Sequence, residues 1–533
     1  MVRGNGAGNG AVQRRRAGIW LALLLCACQA PGPRAKQPVG LAEVRQSLGM
    51  SATDTVLFTH RVLILGTYDG AEGSGTFERS YEPDGRFATR VQPDRGDGWT
   101  ERFDGEQLWI EADGQKAYAL PPTRAHLARS VEWTLASRWL WSDGSPFERN
   151  FSRAPERIPT VQLALGDNPV RPEIELDPGT LQPSALRVPG NPAVQWQFED
   201  WRTRRGFPWP YRMQRLEGSG AATTFETIEV RFEPSMQPVS GFRSTRTLSG
   251  TTTFVSGAVN SFPIRRTNSG HILVLPRLDG REVGWFLVDT GTGVNCIDAA
   301  RLEESGGFLG PDLPDRAITI VGLGGSVPAA LHRGGTFELG ALRATGTEWV
   351  QMDLHGLTEV VGAQLAGVLG GDFFDRAVVE IDFSRQLMSL HDPEAFDGSR
   401  VTWRPLRFDG STPCVYCEFA PQEGGWFRLD SGSDDTVTFH APWVRRLSLL
   451  RHMHNTVQTR LRGIGGEVRG VQGRFPWFEF LGQRFSDPRV TMVEEATGPL
   501  ANPDLVGNVG VGFLENQRLI LDYRQHRLAL IPR

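Results

Sequence analysis

The chain has 533 residues, 39% of them hydrophobic and 22% charged, a balance that belongs to folded globular proteins and excludes disordered and collagen-like classes. A formal charge of −4 speaks against a nucleic-acid partner, which calls for a basic surface. The length exceeds one ordinary core and points to several domains, while 62 Gly and 35 Pro scattered between short β-rich runs point to a mainly β, turn-dense chain.

At the N-terminus, Arg14, Arg15 and Arg16 precede an apolar stretch over residues 17–27. It is long enough for a signal-peptide core and too short to span a bilayer, so residues 1–27 are a targeting segment outside the fold. The stretch ends Leu25-Cys26-Ala27-Cys28, which resembles a bacterial lipobox. That resemblance implies lipidation at Cys28, a membrane anchor and an exported, cell-envelope protein. Gln29, where an Asp would mark retention, implies passage to the outer membrane. Residues 28–39 then form a tether.

Residues 40–235 carry short alternating segments, such as 76–81 and 86–91, separated by Asp84-Gly85, Asp104-Gly105 and Asp113-Gly114. This pattern predicts an antiparallel meander. One helix is predicted over 124–141 from the stripe Leu127, Val131, Trp133, Leu135, Trp139 and Leu140, packed on the sheet. The Phe-Asp-Gly turn before Leu108-Trp109 and the Tyr211-Arg212-Met213 segment are similar to lipoprotein-carrier half-barrels. The eight tryptophans between Trp99 and Trp209 suit an apolar cavity and a packed β core equally. A Ser/Thr/Gly-rich stretch over 236–257 reads as a linker.

Beyond it, residues 271–278 read as an apolar strand, Asp279-Gly280 as a hairpin turn, and residues 285–288 as the returning strand that ends at Asp289. Helices are predicted over 297–304 and 440–450. Cys296, Cys414 and Cys417 are too few for a disulfide framework, and the lone C-x-x-C lies in a strand-like segment, so neither a redox nor a zinc site is expected. His452 and His454 lack metal-ligand spacing to any partner. Neither H-E-x-x-H nor G-x-S-x-G occurs.

The informative feature is an internal repeat. Gly284-Trp285-Phe286-Leu287-Val288-Asp289-Thr290-Gly291 recurs as Gly425-Trp426-Phe427-Arg428-Leu429-Asp430-Ser431-Gly432, an offset of 430 − 289 = 141. Gly322-Leu323-Gly324-Gly325 recurs at the same offset as Gly463-Ile464-Gly465-Gly466. Val368-Leu369-Gly370 pairs with Asn508-Val509-Gly510, and Val379-Glu380-Ile381-Asp382-Phe383 with Leu519-Ile520-Leu521-Asp522-Tyr523. Asn508 breaks the pattern by standing where an apolar residue is expected. A carboxylate at the end of a buried strand needs hydrogen-bond donors, a metal, or a second carboxylate to share a proton with, and the duplication supplies the last. Each Asp is followed by a hydroxyl, Thr290 or Ser431, then by Gly291 or Gly432 for a tight turn, and then by Thr292 or Ser433.

These motifs together resemble the retropepsin-like aspartic proteases of bacteria. The resemblance covers about residues 255–533. It implies two β-barrel lobes, 258–395 and 396–533, forming one bilobal unit in a single chain, monomeric in its catalytic function. It implies Asp289 and Asp430 as the catalytic pair, Thr290, Gly291, Thr292, Ser431, Gly432 and Ser433 as its support, and the two glycine-rich tetrads as flaps over a cleft. A peptide or protein substrate would lie there as an added strand. Two adjacent carboxylates share one proton, so the ionised member activates water and the protonated member assists the oxyanion and leaving group. No metal or cofactor is implied. The rival expectation is a non-catalytic envelope lipoprotein that binds lipid or peptide with a degenerate protease fold.

Overall fold

The structure, a computed structural model, describes residues 39–532 apart from 52–55, 71–72, 114–116, 142–144, 153–157, 167, 190–192, 218–221, 236–247, 305–315 and 515–516. The molecule is mainly β. Cys28 and the 1–27 segment lie outside the described residues, and no described helix is long and apolar enough to cross a membrane.

The first thirteen strands form one antiparallel sheet. Alternating side chains drive it: in Phe87–Pro93, residues Phe87, Thr89 and Val91 are buried and the intervening positions are less so. Its first strand, His60–Gly70, pairs with its last, Thr223–Pro234, at the centre of the sheet. The two edges, Tyr118–Ala119 and Phe147–Ser152, are joined through the helix Pro122–Leu135. A chain that passes from one edge to the other by one helix needs a curved sheet, a half-barrel with that helix against it. Trp139, Trp196, Trp209, Tyr81 and Met213 fill the interior. Inside it, Arg79 binds Glu132 of the helix at 2.9 Å and the Tyr81 hydroxyl donates to the same carboxylate at 2.7 Å. The helix predicted to reach residue 141 ends at Leu135, because Ser137 takes the left-handed conformation (φ 59°) and a 3-10 turn, Arg138–Leu140, carries Trp139 and Leu140 into the core.

The linker differs from expectation at its end. Thr251–Phe254, rich in β-branched residues that favour extended chain, is a strand paired with Leu342–Met352. Residues 271–278 are not one strand: Pro276 has no N–H to give a ladder, and the run splits. Ile272–Val274 pairs with Trp285–Val288, whereas Arg277–Leu278 pairs with Arg281–Glu282 and with Gly325–Leu339. The turn at Asp279 and Gly280 has positive φ at both residues (48° and 75°), as a two-residue hairpin requires. The helix predicted from 297 starts at Ala299, after the strand Cys296–Asp298, and the one predicted over 440–450 is Ala441–Arg446 followed by a 3-10 turn, Leu449–His452.

The two repeat copies build matching sheets. Trp285–Val288 runs parallel to Leu365–Leu369 in one, and Glu423–Leu429 parallel to Gly507–Val509 in the other. A third sheet takes three strands from each copy. Ser261–Pro263, Leu387–His391 and Val378–Asp382 continue into Gln517–Asp522, Arg527–Pro532 and Arg404–Pro405, with the junction at Val379 opposite Leu521. The repeated apolar-x-apolar-Asp-aromatic motif is therefore the seam between the lobes.

The N-terminal sheet sits on the second lobe. The Gln107 amide spans the boundary, accepting from Phe408 N at 2.9 Å and donating to Phe408 O at 3.3 Å, and Gly410 N donates to Ala119 O at 2.7 Å. Arg124 pairs with Asp504 at 2.9 Å.

Candidate active site

Phe286, Leu287 and Val288 are fully buried, so their strand is fixed from both faces, and Asp289 follows it directly. The Asp289 N–H donates to Leu369 O, and in the second copy Asp430 N–H donates to Val509 O, each at 2.9 Å. The parallel strand beside each aspartate thus sets the height at which its carboxylate emerges.

The residues after the aspartates lock the copies together. Thr290 Oγ1 donates to Leu429 O at 2.6 Å and accepts from Ser431 N at 2.9 Å. Reciprocally, Ser431 Oγ donates to Val288 O at 2.9 Å and accepts from Thr290 N at 3.0 Å. Both side chains are buried. Gly291 and Gly432 have no room for a side chain. A Cβ on Gly291 would lie 2.5 Å from Asp430 Oδ1 and 3.1 Å from Asp289 Oδ1, and one on Gly432 would lie 2.5 Å from Asp289 Oδ1. Both carboxylates therefore face one point between the turns.

Donors converge on each carboxylate, but not the same ones. Asp289 receives Gly291 N–H on Oδ1 at 2.7 Å and the Thr292 hydroxyl on Oδ2 at 2.6 Å. Asp430 receives Gly432 N–H on Oδ1 at 3.1 Å and, on Oδ2, the amide of Asn508 at 2.9 Å. Ser433, expected to mirror Thr292, contributes backbone bonds: its N–H donates to Asp430 O and its carbonyl accepts from Val511 N. Burial first, and the neighbouring Asp289 charge second, raise Asp430 well above the ordinary carboxylate range, partly offset by Asn508 and Arg428. Arg428 is itself held by Asp409.

Two further residues cross between the lobes. His271 Nε2 lies 3.0 Å from Gly432 O, with Ser269 Oγ 2.7 Å from its Nδ1, and Thr412 Oγ1 donates to Gly291 O at 3.3 Å. They hold equivalent repeat positions, each bracing the opposite copy's turn. The repeat does not mark either of them, because one is an imidazole and the other a hydroxyl.

The two tetrads are hairpin tips. Gly322, Leu323, Gly324 and Gly325 join Arg316–Gly322 to Gly325–Leu339, and Gly463, Ile464, Gly465 and Gly466 join His454–Gly463 to Gly466–Arg474. They meet. Gly324 N–H donates to Ile464 O at 3.1 Å, and a Cβ on Gly465 would be 2.5 Å from Gly325 O. Leu323 packs against Ala441, Val468, Val493 and Leu500 of the second lobe, while Ile464 packs into the first lobe's cluster of Leu273, Leu287, Val350 and Leu365. Cys296, Cys414 and Cys417 are buried free thiols, and no group of three or more His, Cys, Asp or Glu among the described residues is placed to hold a metal ion.

A family model described as aspartyl protease matches residues 274–373, the stretch that holds Asp289, the first glycine-rich hairpin tip and Gly370. No curated protein matches the chain. Among solved structures, a domain provisionally described as an outer membrane lipoprotein-sorting protein, from Vibrio parahaemolyticus, is similar at 11% identity and a TM-score of 0.26, over 38% of this chain and 96% of its own. A LolA superfamily protein from Nitrosomonas europaea is similar at 10% identity and 0.26 over the same shares.

Proposed function

We propose that the chain is a single-chain aspartic endopeptidase that hydrolyses peptide bonds with a water activated between Asp289 and Asp430. One observation carries the reading: the interlocked Thr290 and Ser431 turns aim both carboxylates at a single point. The aspartyl protease match to the first lobe supports it.

The chemistry follows from charge. Two carboxylates facing one point hold one proton between them, and the titration belongs to the pair. The ionised member takes a proton from water as it attacks the amide carbonyl, and the protonated member hydrogen-bonds the developing oxyanion. The proton then passes to the leaving nitrogen. Thr292 and the Gly291 and Gly432 N–H groups hold the carboxylates in place for that attack. An extended peptide, entering as the flaps part, would bond to their backbone, beginning with Gly324 N–H and Ile464 O. The catalytic unit is a monomer held to the cell envelope by lipid on Cys28, and the half-barrel is its second module.

The test is a peptide-library digest with Asp289→Asn, Asp430→Asn and the double variant. Each single change should abolish cleavage and the double should be little worse, since groups acting as one unit are not additive. Wild-type cleavage by Asp430→Asn would refute the paired mechanism. A wild-type chain that binds peptides without cutting them would make this a binding module on a protease fold.

A further inference from the structure

The two copies differ in what holds their aspartates. Asp289 Oδ2 is paired with a hydroxyl, Thr292, which can donate or accept. Asp430 Oδ2 is paired with the Nδ2 of Asn508, which can only donate. The first-copy equivalent of Asn508 is Val368, which offers neither. Behind Asn508 stands His440, with no measurable exposure, its Nε2 3.0 Å from Asn508 Oδ1. Its equivalent in the first copy is Ala299. In the tautomer with the proton on Nε2, the imidazole donates to the amide oxygen and fixes which end of the amide faces the aspartate.

We propose that His440 and Asn508 form a relay that orients a permanent donor onto Asp430 Oδ2, so that the dyad's shared proton is kept off that oxygen. Asn508 and His440 are positioning residues: neither reaches the reacting atoms. The relay rests on the dyad reading given above and makes the two aspartates inequivalent.

Burial and the Arg428 charge lower the His440 pKa to about 4, so above that pH the ring is neutral and keeps one N–H to give. The groups facing Asp430 are Asp289 from the first lobe, Arg428 on its own strand, Asn508, and the Gly432 N–H. Arg428 is tied to Asp409, whose carboxylate also takes the Tyr118 hydroxyl at 3.5 Å. His440 faces Arg428, Asn508 and the backbone of Asn502 and Leu505. Only Asn508 and Gly432 donate directly to the carboxylate of Asp430 among the described contacts. Removing a donor that favours the charged form raises the carboxyl's titration.

The experiment is a carbon-13 NMR titration of the Asp carboxyl signals in the full chain, with Asp430→Asn identifying the resonance, run alongside the pH profile of peptide cleavage. Asn508→Val copies the residue that the other lobe already tolerates. It should raise the Asp430 titration by about one pH unit, the size expected for one donor to a charged group. The alkaline limb of the cleavage profile should move up with it. His440→Leu should give a smaller shift of the same sign, and the double variant should match Asn508→Val alone, because a relay has one end. Unchanged titration in Asn508→Val, or additive shifts in the double variant, would overturn the proposal. The titration is read without turnover: the expected shifts in a chain that cuts nothing would keep the relay and remove the protease, whereas cleavage without the shifts would do the reverse.

Discussion

Thr290→Val is the cleanest perturbation of the joint between the copies, because valine keeps the shape of threonine and removes only the hydroxyl. The hydroxyl satisfies two buried backbone groups of the other copy, the Leu429 carbonyl at 2.6 Å and the Ser431 N–H at 2.9 Å. Each, once orphaned, costs about 1–3 kcal/mol, so the joint should weaken by about 2–6 kcal/mol, against a total domain stability of about 5–15 kcal/mol. Ser431→Ala orphans the Val288 carbonyl and the Thr290 N–H instead. If the turns part as a unit, the second change costs less than the first, with a coupling of about 1 kcal/mol or more. The assay is urea unfolding of both single variants and the double, with hydrogen exchange over 284–295 and 425–436 to assign the loss to the joint. A change under about 0.5 kcal/mol, or unaltered protection of these segments, would refute the view that the hydroxyls hold the carboxylates together.

Asp430 titrates near 3.9 in the unfolded chain and at about 7 in the folded one, so the unfolded state loses its proton first and this group erodes stability as pH rises from about 4 to about 7. Asp430→Asn should therefore melt like wild type near pH 3 and increasingly above it up to pH 7; parallel melting curves would remove the raised titration. Gly465→Val places a side chain against Gly325 O at a residue with φ 84°, and should impair turnover while the far-ultraviolet circular dichroism stays unchanged. Turnover at the wild-type rate would remove the flap role. Cys28→Ala should move the protein from the membrane to the soluble fraction, and an unchanged distribution would remove the lipid anchor.

What the sequence could show was whatever the chemistry forces to recur. Asp289 and Asp430, their hydroxyl neighbours and the two glycine-rich tips are repeated because a shared proton, an interlocked turn and a close backbone approach each accept few residue types. Asn508 was visible only as a break in an apolar pattern, and its reason lies in Asp430, which is 78 residues away. His271 and Thr412 act on turns 161 and 121 residues distant, and different chemistry does the same job in the two copies, so no repeat flagged them. The Gln107 bridge to Phe408 spans 301 residues. Local errors had local causes: Pro276 split a strand whose apolar pattern was continuous, and Ser137 ended a helix whose stripe ran on into a 3-10 turn.

The sheet shared by the lobes also governs the order in which the molecule can be completed. Val378–Asp382 is synthesised long before Gln517–Asp522, the strand that pairs with it at Val379 and Leu521. Until that partner arrives, the first lobe ends in an open edge, with backbone donors and acceptors free to recruit any extended segment. Asp430 and the strand that seats it, Gly507–Val509, are likewise late. Asp289 therefore has no partner carboxylate seated beside it until the last strands join the seam.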